Sequence, residues 1–122
     1  MPLRDTVERF VVAVEAGDTV KALEDFYAPD ATMHENGDPP RRGREALVAH
    51  ERRNLAGVRW QRARCVRPVL VADDRAVVRW VFEYETLAGR QVRFEELAYQ
   101  VWRDHRIVEE TFFYDPAQIR SA

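Results

Sequence analysis

Residues 76–114 read AVVRWVFEYETLAGRQVRFEELAYQVWRDHRIVEETFFY. Valine, phenylalanine, tyrosine and tryptophan recur here with alternating spacing, broken by Ala88-Gly89 and Asp104-His105. β-Branched and aromatic residues at period two, punctuated by turn residues, predict strands joined by hairpins. The strands fall at about 76–86, 91–103 and 107–114. Folding about Ala88-Gly89 sets Trp80 opposite Leu97 and Phe82 opposite Glu95. Folding about Asp104-His105 sets Leu97 opposite Phe112 and Tyr99 opposite Glu110. Side chains alternate across a sheet, so one face is expected to collect Val78, Trp80, Phe82, Tyr84, Leu97, Tyr99, Val101, Val108, Phe112 and Tyr114. That face is apolar enough to be the covered one, with Glu95 and Glu110 as its polar exceptions. Buried carboxyls need partners or stay protonated. Glu110 is expected near the open rim, in contact with water.

Upstream, residues 60–72 form a further strand, turned by Asp73-Asp74. Folding there adds Cys65 and Arg67 to the covered face and sets Arg64 opposite Glu83 and Arg62 opposite Glu85 outside. Pro68 cannot donate a ladder hydrogen bond, which suits a sheet edge. Nearer the N-terminus the period changes. Asp5 and Glu8 have capping-box spacing, and Val7, Phe10, Val11 and Val14 share one helical face. Gly17 suits the left-handed close of that helix and Asp18 the cap of a second, which buries Ala22, Leu23 and Phe26 and is stopped by Pro29. A short strand at 31–36, a turn at Gly37-Asp38-Pro39-Pro40 and a third helix from Arg44 to Gly57 follow, with Leu47, Glu51 and Leu55 on one side. The expected class is α+β: one domain over 1–122, three N-terminal helices against a curved, mainly antiparallel sheet, and a pocket between them.

With 46% hydrophobic and 33% charged residues the 122-residue composition is that of a globular domain. No stretch is long and apolar enough to span a membrane, and the N-terminus has no apolar signal core, so cytoplasmic residence is expected. A net charge of −2 gives no global attraction to nucleic acid. Nine arginines lie between Arg41 and Arg67, but no stacking motif accompanies them, and cross-strand glutamates account for part of that charge. Cys65 stands alone, which excludes an intrachain disulfide. His34, His50 and His105 lack metal-ligand spacing, and neither a phosphate loop nor a nucleophile elbow is present.

The order of elements resembles the nuclear transport factor 2-like superfamily, a cone-shaped (cystatin-like) fold with a pocket. The segments that carry the likeness are Arg9-Phe10 through Gly17-Asp18, Phe26 through Glu35, Pro39 through Gly43, and His105 through Glu110. They are most similar to ketosteroid isomerases and SnoaL-like polyketide cyclases. The resemblance implies a base at Glu35. It places Phe10 where the isomerases carry a tyrosine donor, so that hydroxyl is missing. A second donor falls near Glu95, Leu97 or Tyr99, and the cyclase aspartate falls at about Phe112. A fold of this kind hosts enzymes and binders alike.

The expected function is therefore cofactor-free acid–base chemistry, of isomerase or cyclase type, on an apolar enolisable small molecule. Glu35 is the candidate base. Phe10, Glu51, Trp80, Phe82, Tyr84, Glu95, Leu97, Tyr99, Phe112 and Tyr114 are the candidate lining. The alternatives are a non-catalytic ligand-binding or accessory protein and a structural dimerisation module. No metal or cofactor is implied. The outer face, with Val77, Val81, Phe94, Ala98, Trp102, Ile107 and Phe113, is a large apolar patch and predicts a two-fold homodimer packed sheet to sheet.

Overall fold

In the computed structural model, which describes residues 1–120, helix α1 (Leu3–Glu15) starts three residues earlier than the capping spacing predicts. Pro2 occupies the cap and Asp5 lies in the first turn, where a carboxylate faces the positive helix end. Val7, Phe10, Val11 and Val14 are its buried stripe. Gly17 then turns the chain at φ 102°, and the Asp18 carboxylate accepts from the Lys21 amide at 3.0 Å to cap α2 (Thr19–Phe26). Strand β1 (Tyr27–Glu35) follows at once and runs through Pro29, so it is longer than the stretch at 31–36. The two-residue β2 (Arg41–Arg42) leads into α3 (Arg44–Ala56).

The remainder is a meander: β3 (Val58–Ala72), β4 (Arg75–Thr86), β5 (Gln91–Arg103) and β6 (Arg106–Phe113), then a 3₁₀ turn at Pro116–Ile119. The sheet order is β2-β1-β6-β5-β4-β3, with β1 parallel to β6 and every other pair antiparallel. Pro68 sits in β3, the edge strand, as its missing N–H requires. All three helices pack on one side of the sheet. Helix α1 lies along the edge strand β3, where Arg4 donates to the Val69 carbonyl and Glu15 accepts from the Cys65 amide, and its Phe10 reaches inward to meet Phe26, Tyr27 and Trp102 edge-on at centroid distances of 5.5, 5.9 and 5.9 Å.

The strands fall where expected, but the register does not. The loop between β4 and β5 has an odd number of residues: Glu85 pairs with Gln91, and the Gly89 amide donates to the Thr86 carbonyl at 2.9 Å. Gly89 takes φ 91°, the left-handed residue that closes a three-residue hairpin loop. Trp80 therefore faces Glu96 and Phe82 faces Phe94, one residue off the expected pairing. The turn at Asp104-His105 does have two residues, both at positive φ, but β6 carries a bulge near Val108. Beyond it Ala98 faces Phe112 and Gln100 faces Glu110. Between β3 and β4 a break around Arg67-Pro68-Val69 slips the pairing by two, which preserves the face. Cys65 is buried as expected, but Arg62, not Arg64, lies opposite Glu83, at 3.6 Å.

A one-residue slip turns a strand over. Phe94, Ala98 and Trp102, expected outside, thus face the helices, while Glu95, Leu97 and Tyr99 face out. Leu97 is 45% and Tyr99 40% exposed, and Trp102 is buried against Phe10. Val81 and Ile107 are also buried, so the outer apolar patch contracts to Leu97, Tyr99 and Phe113 with their neighbours. The register makes a direct prediction for urea unfolding. Trp102→Ala should cost about 3–5 kcal/mol as a large-to-small core change. Leu97→Ser and Tyr99→Ser should each stay within about 0.5 kcal/mol, as surface changes do. The opposite ranking would mean that Leu97 and Tyr99 are the inward pair.

Candidate functional site

The helices do not close against the sheet along its full length. Between α1, α2, α3 and the inner faces of β1, β4, β5 and β6 lies a cavity of about 490 Å³. Its apolar wall is built by strand alternation. Trp80, Phe82 and Tyr84 project from β4, Phe94 from β5 and Phe112 from β6, joined by Tyr114 just beyond it and by Phe10 from α1. Phe82 stacks on Phe94 at 5.3 Å, and Phe94 touches Tyr84 and Tyr114 at 6.3 and 5.8 Å, so the rings form one continuous surface. Of the lining expected from the sequence, Phe10, Glu51, Trp80, Phe82, Tyr84, Phe112 and Tyr114 stand around this cavity. Glu95, Leu97 and Tyr99 do not. The shifted register turns them to the other face, where Glu95 pairs with Arg79 at 3.2 Å and Arg93 at 3.3 Å, and Tyr99 accepts from Arg75.

Glu35 is at the cavity wall, on the last residue of β1. One carboxylate oxygen accepts from Arg41 Nη2 at 2.8 Å and the other from the Tyr114 hydroxyl at 3.1 Å. The arginine comes from β2, which pairs antiparallel with β1 and so returns Arg41 to the same end of the strand. A single guanidinium nitrogen makes the contact, so the pair is not the bidentate fork that would occupy both oxygens. Burial, then the neighbouring Glu35, raises the Tyr114 hydroxyl to about 12, so it remains a donor at neutral pH. His50, from α3, also lines the cavity; burial and then the Arg41 guanidinium lower its pKa below that of a free histidine.

Two carboxyls that sequence reasoning misplaced or missed dominate the floor. Glu110, expected at a wet rim, is 1% exposed. It accepts from the Tyr27 hydroxyl and, at 2.7 Å, from Gln100 Nε2. Gln100 Oε1 in turn accepts from the Trp102 indole at 3.0 Å. Burial raises Glu110 to about 7, opposed by those two hydrogen bonds. Glu96 is 8% exposed and lines the cavity. Burial, and then Glu110 and Glu35, raise it to about 8. Among the described residues its side chain makes no hydrogen bond or ion pair, so its carboxyl is left to the cavity it lines. The three-residue loop closed by Gly89 is what turns Glu96 inward, and the sequence Leu87-Ala88-Gly89 allows a two-residue loop as well. Nothing in the sequence singles out the Tyr27–Glu110–Gln100–Trp102 chain. No group of three His, Cys, Asp or Glu among the described residues is placed to hold a metal ion.

A family model described as SnoaL-like domain matches residues 7–110. No curated protein matches the chain. Among solved structures, an NTF2-like protein of unknown function from Burkholderia pseudomallei superposes with a TM-score of 0.82 at 16% identity, covering 98% of this chain and 95% of that one. A protein assigned as a SnoaL-like polyketide cyclase from Mesorhizobium loti gives 0.79 at 22% identity, over 93% and 100%. A protein with a ketosteroid isomerase-like fold from Catenulispora acidiphila, in complex with trimethylamine, gives 0.79 at 16% identity, over 93% and 88%. At these identities the likeness is one of fold.

The raised carboxyls set a pH dependence of stability. An acid whose folded pKa lies above its unfolded value holds its proton longer in the folded state, so stability declines as pH rises between the two. For Glu96 that window runs from about 4.5 to about 8, and for Glu110 from about 4.5 to about 7. Glu96→Gln, which cannot ionise, should flatten the upper part of the decline and stabilise the protein at pH 9 by on the order of a few kcal/mol. Urea midpoints at pH 5, 7 and 9 would measure this. A wild-type protein whose stability rises across that range would contradict it.

Proposed function

The chain belongs to the SnoaL-like domain family, and from that premise we propose cofactor-free acid–base chemistry on an apolar, enolisable small molecule, with Glu35 as the base. The observation that carries this reading is the Glu35 carboxylate in the wall of an aromatic cavity, oriented by Arg41 and Tyr114. A positioned carboxylate can take a proton from carbon next to a carbonyl and return it elsewhere, a contribution of about 10²–10⁴-fold. The aromatic wall gives an apolar substrate a surface to pack on, and the neutral Tyr114 hydroxyl lies beside the base. Neighbours of the same fold with a small molecule bound support a small-molecule ligand here. The cytoplasm suits this reading, since an unpaired thiol such as Cys65 stays reduced there.

Two observations favour a second reading, a ligand-binding protein without turnover. Both Glu35 oxygens are already taken up, by Arg41 and Tyr114, and Phe10 has no hydroxyl where the isomerases resembled carry a donor. Glu35→Gln separates the two. With small enolisable ketones as substrates, the variant should lose at least about 100-fold in turnover, the low end for a general base, while ligand affinity and thermal midpoint stay nearly unchanged. Equal rates for both proteins, measured by deuterium exchange or product formation, would leave the binding reading.

A two-fold homodimer through the outer sheet face belongs to the same proposal. Leu97 lies opposite Phe113 and beside Tyr99, and Phe113 is 52% exposed, so the three make one apolar patch. Light scattering at micromolar concentration should give twice the monomer mass. A monomer mass would count against the dimer and leave the cavity chemistry untouched.

A further inference from the structure

The cavity lining contains five carboxyl side chains and one guanidinium. Four of the five are already engaged. Glu35 meets Arg41 and Tyr114, and Glu51 accepts from Gln61 at 3.4 Å. Glu83 faces Arg62 at 3.6 Å, and Glu110 holds Tyr27 and Gln100. Glu96 is the exception. It is more than nine-tenths buried, lines the cavity, and makes no side-chain hydrogen bond or ion pair among the described residues. A carboxyl here loses hydration that no protein group replaces, a cost that an apolar side chain at this position would avoid.

The surroundings of Glu96 are aromatic. Trp80 is its cross-strand partner on β4, Phe94 lies two residues earlier on the same face, and Phe82 is stacked on Phe94 and tilted against Trp80 at 5.7 Å. Ring faces carry negative charge density and attract a cation, most strongly when water is excluded. A lone carboxyl set among ring faces suits an ammonium group better than an anion or a neutral hydroxyl.

We propose that the ligand of this cavity carries a cationic nitrogen, seated against the Glu96 carboxylate and the rings of Trp80, Phe82 and Phe94. This rests on reading the cavity as the ligand site and narrows its substrate class to amines or quaternary ammonium compounds with an apolar body. The nitrogen sits on β5, which leaves the rest of the molecule to extend toward Glu35 on β1. Glu96 fixes the ligand by its charge, the bound cation releasing the carboxyl's proton to water wherever it is still held, and takes no part in moving the substrate's proton.

The test uses the full chain and a pair of probes of equal shape, phenyltrimethylammonium and its neutral counterpart tert-butylbenzene. Binding is followed by tryptophan fluorescence and calorimetry at pH 9, above the raised pKa of about 8, so that Glu96 is ionised before the cation arrives. Water holds the cation far more strongly, so a neutral apolar cavity would prefer tert-butylbenzene. Here the cation should bind at least about tenfold more tightly. Glu96→Gln should lose at least about tenfold in affinity for the cation and leave tert-butylbenzene within about twofold, with circular dichroism unchanged. Should that variant not fold, Phe94→Leu keeps an apolar wall, removes a ring, and should weaken the cation severalfold more than the neutral probe. A neutral probe that binds as well as the cation, a cation that does not bind at millimolar concentration, or an undiminished affinity in Glu96→Gln would overturn the proposal. Cation binding without any Glu35-dependent turnover would sink the proposed chemistry and leave this inference standing. Glu35-dependent turnover of neutral ketones without a preference for the cation would do the reverse.

Discussion

Which side of β5 faces the helices is decided where β4 turns into it. A two-residue loop would bring Leu97 and Tyr99 inward. The three-residue loop closed by Gly89 in the left-handed region brings Phe94, Glu96, Ala98, Gln100 and Trp102 inward instead. The inward set then has to suit what lies above it. Trp102 meets Phe10 edge-on, and Ala98 leaves room where a larger side chain would press on the helices. The bulge near Val108 keeps β6 in step with this choice, so that Gln100 and Glu110 arrive opposite one another. A cavity floor assembled from three strands thus depends on one turn and one bulge agreeing.

That agreement is what allows a polar chain under an aromatic cavity. Tyr27, Glu110, Gln100 and Trp102 come from β1, β6 and β5, and each polar atom that points inward finds a partner. Such a chain is costly if partly satisfied and rigid if complete. Here it is complete, and it ties the parallel β1–β6 pair to the antiparallel meander at the place where the sheet changes direction. Glu96 stands beside this network without joining it, which keeps its carboxyl available to the cavity. Arg41 and Tyr114 do the converse for Glu35, holding it at a fixed orientation.

Strand positions, helix stripes and the edge placement of Pro68 were legible in the sequence, because alternation and helical period are local and proline's missing donor is absolute. The inward sides of β4 and β6 were legible for the same reason, and with them Trp80, Phe82, Tyr84 and Phe112. The inward side of β5 was not. It depends on whether a loop has two residues or three, and Leu87-Ala88-Gly89 is compatible with either until its hydrogen bonds are seen. One such residue exchanged Glu95, Leu97 and Tyr99 for Phe94, Glu96 and Ala98. Glu35 was found through likeness to known sequences, while its partner Arg41 required the short β2 that brings it back alongside β1. Glu110 was read as wet because its partners, Tyr27 and Gln100, are 83 and 10 residues away.

The 3₁₀ turn after β6 has a consequence for the sheet as a whole. β6 stops opposite Leu97, so the first half of β5 has no strand on that side. Gln118 fills the place with its side chain: its carbonyl oxygen accepts from the Glu95 amide at 2.9 Å and its nitrogen donates to the Glu95 carbonyl at 3.0 Å. A carboxamide presents the same donor and acceptor as a peptide group, so one side chain imitates one residue of a neighbouring strand. Arg90 clasps the carbonyls of Ile119 and Arg120 and holds the imitation in register. An unpaired notch inside a sheet would invite a stray extended segment from another molecule, as bare edges do in fibril formation. The glutamine occupies that notch with two atoms, so the chain is shielded from templated aggregation there without building a seventh strand.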